Sequence, residues 1–70
     1  MINILANLET LRKQKGYTQT AFAEKLGLTQ GMVSMIENGE RDPSLETLLN
    51  IASALGVTVD ELIGRKDEAS

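Results

Sequence analysis

The residue types that most often perform catalysis or hold metal ions are absent from this chain of 70 residues. It contains neither histidine nor cysteine, so it lacks the commonest general base, a cysteine nucleophile and the usual ligands of transition metals. The carboxylates are scattered over predicted helix surfaces and do not indicate the convergent pocket that an enzyme needs. We therefore expect no enzyme activity, no cofactor, no metal and no small-molecule ligand.

The hydrogen-bonding side chains between residues 29 and 38 predict a different chemistry. Val33 and Ile36 define the apolar side of a predicted helix there. The opposite side carries four residues with no charge: Gln30, Gly31, Ser34 and Met35. Glutamine can form two hydrogen bonds to adenine, serine can bond to several bases, and methionine can contact a thymine methyl group. Glycine reads nothing through a side chain but lets the backbone approach closely, so this side of the helix suits the base edges of DNA.

A second short helix and a tight turn would hold this helix in place. Gly27 suits the left-handed backbone of a turn between helices, and Thr29 can cap the helix that follows. The small side chain of Ala23 would let the two helices cross closely. Residues 19–38 therefore predict a helix-turn-helix unit, with its second helix over about 29–38.

In the rest of the chain, apolar residues recur at helical spacing, in stripes that would each lie on one side of a helix, and glycines or turns end these stripes. No segment has the pattern of a strand of useful length. The first stripe predicts a helix over about 4–15 that is ended by Gly16, and consists of Ile4, Leu5, Leu8 and Leu11. The longest stripe lies between a turn at 42–44 and Gly56, and consists of Leu45, Leu48, Leu49, Ala52 and Leu55. The predicted caps are Thr18, Thr29, Ser44 and, in a capping box with Glu61, Thr58. The prediction is an all-α, compact five-helix domain over residues 1–64 with a polar tail at 65–70.

Composition and charge agree with one small globular domain. Hydrophobic residues make up 41%, and a chain of this length buries about 60% of the surface of its unfolded form. No apolar stretch approaches the roughly 18 residues of a membrane span, and the first residues lack a signal peptide's positive region, so we expect a cytoplasmic protein. The net charge is −3, but residues 9–41 carry five basic and four acidic side chains, whereas residues 42–61 carry four acidic ones alone. A molecule with one mildly basic end can orient on a polyanion despite its negative total.

Several separated motifs together resemble the Xre-type family of phage repressors, Cro proteins and their bacterial relatives. The resemblance covers about residues 8–63 and rests on Leu11-Arg12, Thr18-Gln19, Ala23, Leu26-Gly27-Leu28-Thr29-Gln30, Val33-Ser34, Ile36-Glu37-Asn38-Gly39, Pro43-Ser44 and Leu55-Gly56-Val57. It implies a five-helix domain that binds double-stranded DNA, with the third helix in the major groove and the second across the phosphates. It also implies that Gln19 contacts a phosphate and that Arg12 and Glu37 form a largely buried ion pair.

Phosphate and base contacts each have a simpler alternative. The predicted phosphate contacts are Gln19, Thr29, Asn38, Arg41 and Lys15, and the predicted base contacts are Gln30, Gly31, Ser34 and Met35. The Thr29 hydroxyl is also a simple N-cap, and an isolated Gln30 would only be solvated. Lys13 and Lys25 are further candidates for phosphate contacts. Each can instead belong to a solvated surface, and for Lys25 the two interpretations have equal weight. Met32 is expected to be partly in the core, and Met35 to be exposed.

The small number of cations predicts weak binding by one subunit, and therefore a homodimer on a pseudo-palindromic operator. The candidate interface residues are Ile2, Ile4, Leu5, Val57, Val59, Leu62 and Ile63, which would otherwise complete the core. With no second domain to sense a ligand, control would come from concentration, operator arrangement or another protein. The alternative to a transcriptional repressor is an antitoxin-like or adaptor module that uses the same fold to bind a protein.

Overall fold

Five helices and no strand make up the described part of the computed structural model, which comprises residue 5 and residues 7–63. The helices are α1 (Leu8–Gln14), α2 (Gln19–Leu26), α3 (Gln30–Glu37), α4 (Leu45–Leu55) and α5 (Val59–Ile63). The predicted all-α, five-helix fold is therefore confirmed. The predicted tail at 65–70 and the candidate interface residues Ile2 and Ile4 lie outside the described residues. Within those residues no helix is long and apolar enough to cross a bilayer.

Side-chain caps start four of the helices where the sequence predicted them. Three N-cap hydroxyls accept a hydrogen bond from the backbone N–H three residues further on, at 3.0–3.1 Å: those of Thr18, Thr29 and Ser44. Thr58 and Glu61 form a reciprocal capping box, in which the Thr58 N–H donates to the Glu61 carboxylate at 2.9 Å and the Glu61 N–H donates to the Thr58 hydroxyl at 3.1 Å. Each cap satisfies an N–H that has no partner inside its helix.

The first helix is shorter than predicted, because it begins at Leu8 rather than near residue 4. Leu5 lies in a turn, and its carbonyl accepts a hydrogen bond from the Leu8 N–H at 3.1 Å. The Asn7 N–H donates to the Leu62 carbonyl at 3.0 Å, and the Asn7 side chain donates to the Glu61 carbonyl at 2.9 Å. These long-range hydrogen bonds connect Asn7 to α5. Because the Asn7 N–H donates to α5, it is not available for a bond within a helix that begins earlier.

The core lies where α2 packs against α3 and α4 and where α5 packs against α1 and α4. Its buried apolar side chains are Leu5, Leu8, Phe22, Ala23, Val33, Ile36, Ile51, Ala52, Leu55 and Leu62. Phe22 is fully buried and lies 5.4 Å from the Tyr17 ring, measured between ring centroids. Ala23 is buried on α2, the helix that packs most extensively against α3, as expected for a small residue at a helix crossing. This packing fixes the position of α3.

The stripe predicted for α4 is displaced in the structure. Leu45 and Leu49 are 72% and 53% exposed, whereas Ile51, which was not part of the predicted stripe, is buried. The core-facing stripe of α4 consists of Leu48, Ile51, Ala52 and Leu55, spaced i, i+3, i+4 and i+7, and Ala54 is partly buried beside it. The helix carries more leucines than one face can bury, so an apolar patch remains on its outer side.

Candidate nucleic-acid interface

The turn between α2 and α3 has the tight geometry that the sequence predicts. Gly27 ends α2 with φ +73°, in the left-handed region, and the Leu28 N–H donates to the Ala23 carbonyl at 2.9 Å. A Cβ atom at Gly27 would meet nothing within 4 Å, so backbone conformation rather than space accounts for the glycine. Thr29 then caps α3, and the whole connection spans three residues.

The two sides of α3 differ in the way expected for a helix that reads DNA. Val33 and Ile36 are buried in the core. Of the four predicted base-contacting residues, Gln30 and Gly31 are exposed, and Ser34 and Met35 are half-buried, so Met35 is less exposed than predicted. Met32 is also half-buried, but the described core does not include it, so the prediction of a partly core position is not confirmed.

Gly31 is not required by the fold. Its φ is not positive, and an added Cβ would meet only the Thr29 hydroxyl oxygen, at 4.0 Å. An alanine would therefore fit at this position in the free protein. The absence of a side chain on the outer side of α3 leaves the backbone open to close approach.

Arg12 and Glu37 form a buried ion pair between α1 and α3. The Arg12 Nε lies 2.5 Å from Glu37 Oε2, and Arg12 Nη2 donates to Oε1 at 3.3 Å. The third side of the guanidinium donates from Nη1 to the Tyr17 carbonyl at 2.7 Å. Their side chains are 6% and 1% exposed, so neither charge lies on the protein surface. The pair joins two helices whose residues are 25 positions apart in the chain.

The polar contacts continue from this pair to the surface of α3. Gln19 donates from Nε2 to Glu37 Oε1 at 2.9 Å, and Gln30 donates from Nε2 to Gln19 Oε1 at 2.5 Å. Sequence reasoning placed Gln19 at a phosphate and Gln30 at a base, but missed the hydrogen bond that joins them. One signal for it is available in the sequence: each glutamine occupies the first position of one of the two helices of the helix-turn-helix unit.

The remaining predicted phosphate contacts lie within the helix-turn-helix unit or beside it. Lys15 is the exposed C-cap of α1, and Arg41 is exposed in the connection between α3 and α4. Neither forms an ion pair with any of the residues that the structure describes. Asn38 is the exposed C-cap of α3, and the Thr29 hydroxyl is engaged as the α3 N-cap.

Two other lysines have partners within the protein. Lys13 Nζ lies 2.8 Å from a carboxylate oxygen of Glu9, one helical turn away. Lys25 Nζ lies 6.0 Å from the centre of the Tyr17 ring, at the outer limit of a cation–π contact. These contacts favour a surface role for both lysines over a phosphate role.

Residues 8–62 match the helix-turn-helix family. YqaE, an uncharacterized HTH-type transcriptional regulator of Bacillus subtilis, is 44% identical over 57 residues, which cover 81% of this chain and 49% of that protein. The uncharacterized HTH-type transcriptional regulator y4dJ of Sinorhizobium fredii is 40% identical over 63 residues, which cover 90% of this chain and 82% of that protein. The chain thus spans about half the length of the first relative and most of the second.

A solved structure agrees with the sequence comparison. The crystal structure of C.AhdI, a restriction-modification controller protein from Aeromonas hydrophila, aligns with a TM-score of 0.78 at 34% sequence identity. The alignment covers 87% of this chain and 92% of that one. The similarity therefore extends over nearly the whole described fold, and the chain belongs to the helix-turn-helix family.

Proposed function

We propose that this chain is a sequence-specific DNA-binding transcriptional regulator that places α3 in the major groove. The observation that carries the proposal is the outer side of α3: its hydrogen-bonding surface is uncharged and starts at the exposed Gln30. Its opposite side is fixed in the core. Relatives described as transcriptional regulators support the same function.

The proposed contacts divide into base reading and backbone positioning. Gln30 pairs with adenine, Ser34 bonds to a base edge, Met35 contacts a thymine methyl group, and Gly31 allows close approach. The phosphates are held by Lys15, Arg41, Asn38, Thr29 and the remaining Nε2 hydrogen of Gln19. Phosphate contacts position the protein, whereas base contacts give it sequence preference.

We further propose that the protein acts as a dimeric repressor in the cytoplasm, where bacterial and phage DNA is found. A two-fold dimer doubles the few cations and places two copies of α3 about 34 Å apart, one turn of DNA. Of the interface residues predicted from the sequence, Leu5 and Leu62 are buried in the core, and Val57, Val59 and Ile63 are partly buried against it. The exposed Leu45 and Leu49 supply the apolar surface that such a dimer would cover.

The dimer is tested by sedimentation of the protein on a single operator. We expect two subunits per site at saturation, and we expect the double variant Leu45→Asp, Leu49→Asp to lower the occupancy at equal protein concentration. Asn50→Asp with Ser53→Asp is the matched control, because it adds the same two negative charges at exposed positions of the same helix. One wild-type subunit per site at saturation would refute the dimer.

The second candidate function is that of a protein-binding module, because the exposed Leu45 and Leu49 could also contact another protein. A salt titration separates the two functions. If the protein is a regulator, the logarithm of its binding constant for a labelled DNA duplex should fall linearly with the logarithm of the salt concentration. The slope should be about −0.9 for each phosphate contacted. An antitoxin-like or adaptor module would bind DNA with no sequence preference or not at all, and its apolar protein contact would change little with salt.

A further inference from the structure

Four side chains form one continuous hydrogen-bond chain from the interior of the protein to the exposed start of α3. Arg12 donates to Glu37, Glu37 accepts from Gln19, and Gln19 accepts from Gln30. We call Glu37, Gln19 and Gln30 the relay. The ion pair and the base contact each account for one end of the relay, but neither accounts for the direction in which the two amides point.

The direction of the relay is set by the chemistry of its buried end. An ionised carboxylate can only accept hydrogen bonds, so Gln19 must turn its Nε2 toward Glu37. The Gln19 Oε1 then points toward Gln30 and can only accept, so Gln30 must turn its own Nε2 inward. A glutamine amide can otherwise rotate by half a turn with little change in shape, which would exchange its donor and its acceptor.

Arg12 holds the Glu37 carboxylate in place. Its guanidinium donates to both Glu37 oxygens, and the Glu37 side chain is only 1% exposed. Charge-assisted bonds of this paired type are stronger and more directional than neutral ones. The buried end of the relay is therefore rigid, while its outer end lies at the surface that the proposed function assigns to DNA.

The relay leaves Gln30 with one free acceptor, Oε1, and one free hydrogen on Nε2. Adenine presents one donor, N6, and one acceptor, N7, in the major groove, whereas guanine presents two acceptors, O6 and N7. The outward groups of Gln30 therefore match adenine. Against guanine, the Gln30 Oε1 would face the O6 oxygen, and two acceptors cannot form a hydrogen bond. An amide turned the other way would present two hydrogens and would favour guanine.

Building on the proposed function, we propose that Glu37 is a positioning residue for base recognition. It never touches DNA, but it fixes the amide direction of Gln30 through Gln19 and thereby makes Gln30 select adenine over guanine. The inference extends the role of Glu37 from holding two helices together to setting sequence preference.

The variant Glu37→Gln reverses the direction of the relay. Arg12 Nε would still donate to the one oxygen of the new amide. Its NH₂ group would then replace Oε1, lose the hydrogen bond from Arg12 Nη2 and require an acceptor on Gln19. Gln19 and then Gln30 would both rotate, and the outward end of Gln30 would become a double donor. The expected result is a shift of preference from adenine toward guanine at one base position in each half-site.

The experiment measures binding to an operator and to its single-base variants, after a selection from random DNA has identified the operator. Gln30→Ala first locates the base position that Gln30 reads. At that position we expect Glu37→Gln to change the adenine-to-guanine affinity ratio by about tenfold or more, with the ratios at other positions unchanged. Glu24→Gln is the matched control, because it removes the same charge from an exposed site on α2, and it should leave every ratio unchanged.

Gln19→Met keeps the proposal testable if Glu37→Gln does not fold. It cuts the relay with a side chain of similar length and leaves the ion pair intact, and we expect it to lower the adenine-to-guanine ratio at the same position. If either folded variant weakens all sequences equally and retains the wild-type ratio, the relay is wrong while the reading role of Gln30 stands. If Gln30→Ala itself changes no base preference, the proposed base contact fails as well, which distinguishes the two failures.

Discussion

Among the described residues, two ion pairs involve α1, and they differ in burial and in the helices that they join. Glu9 and Lys13 are one helical turn apart, and their side chains are 56% and 64% exposed. Arg12 and Glu37 come from different helices, and their side chains are almost completely buried. The attraction within the exposed pair is weakened by salt. The buried pair is shielded from solvent, has paid the cost of desolvation, and fixes α3 against α1.

The same contrast appears in what each pair does for function. The exposed pair engages a lysine that could otherwise approach a phosphate, and its effect remains local to α1. The buried pair holds the helix that carries the proposed base contacts, and it continues into the polar contacts of Gln19 and Gln30. Burial thus turns an ordinary ion pair into a structural link between the core and the surface of α3.

Breaking the buried pair should have the largest effect. Arg12→Ala and Glu37→Ala should each lower the free energy of unfolding by about 3–5 kcal/mol, because each leaves an uncompensated charge in the interior. The double variant should lose less than the sum of the two, since it removes both charges. Denaturant melts of the three variants measure this. Strictly additive losses would show that the two residues do not interact in solution.

Replacing the buried pair by apolar side chains should have a smaller effect on stability and a clear effect on recognition. Arg12→Met with Glu37→Leu should be within about 1 kcal/mol of the wild type or more stable, because desolvation offsets much of a buried pair's attraction. The double variant should nevertheless lose base discrimination, since nothing then directs Gln19. Thermal melts and operator binding give the two values. Loss of folding together with binding would mean that the pair is indispensable to the fold itself.

The exposed pair should give the smallest effect. A hydrogen bond from Lys13, together with its positive charge, lowers the pKa of Glu9 below its ordinary value. Because this pKa is lower in the folded state, any stability from the pair is present above the unfolded-state pKa and is lost as pH falls through the folded pKa. Lys13→Ala should raise the Glu9 pKa toward its ordinary value in an NMR titration and should barely change the melting temperature. An unchanged Glu9 pKa would contradict the contact.

Local signals in the sequence were sufficient for the helix starts and stops. Caps such as Thr29 and Ser44 act on N–H groups three residues away, and Gly27 and Gly56 adopt the left-handed backbone that ends a helix. These interactions depend on neighbours in the chain, so spacing alone predicts them.

Features that depend on distant neighbours were predicted less well. The start of α1 is set by hydrogen bonds from Asn7 to α5, more than 50 positions away, which no local pattern contains. Leu45 and Leu49 fit an apolar stripe, but the neighbouring helices cover a different side of α4. The Arg12–Glu37 pair was expected from the family resemblance and not from spacing, and its continuation to Gln30 was missed, because it appears only when α1, α2 and α3 are packed together.

The central claim is that α3 reads DNA sequence through Gln30 while the flanking cations hold the backbone. The most direct test compares Gln30→Ala with Arg41→Ala on the operator and on its single-base variants, after melts have shown that both variants fold. Gln30→Ala should lose about 1–3 kcal/mol on the preferred site and relax the preference at one base position per half-site. Arg41→Ala should weaken all sequences alike and lower the salt slope by about one per subunit. A selected sequence that is unchanged by Gln30→Ala would contradict the claim.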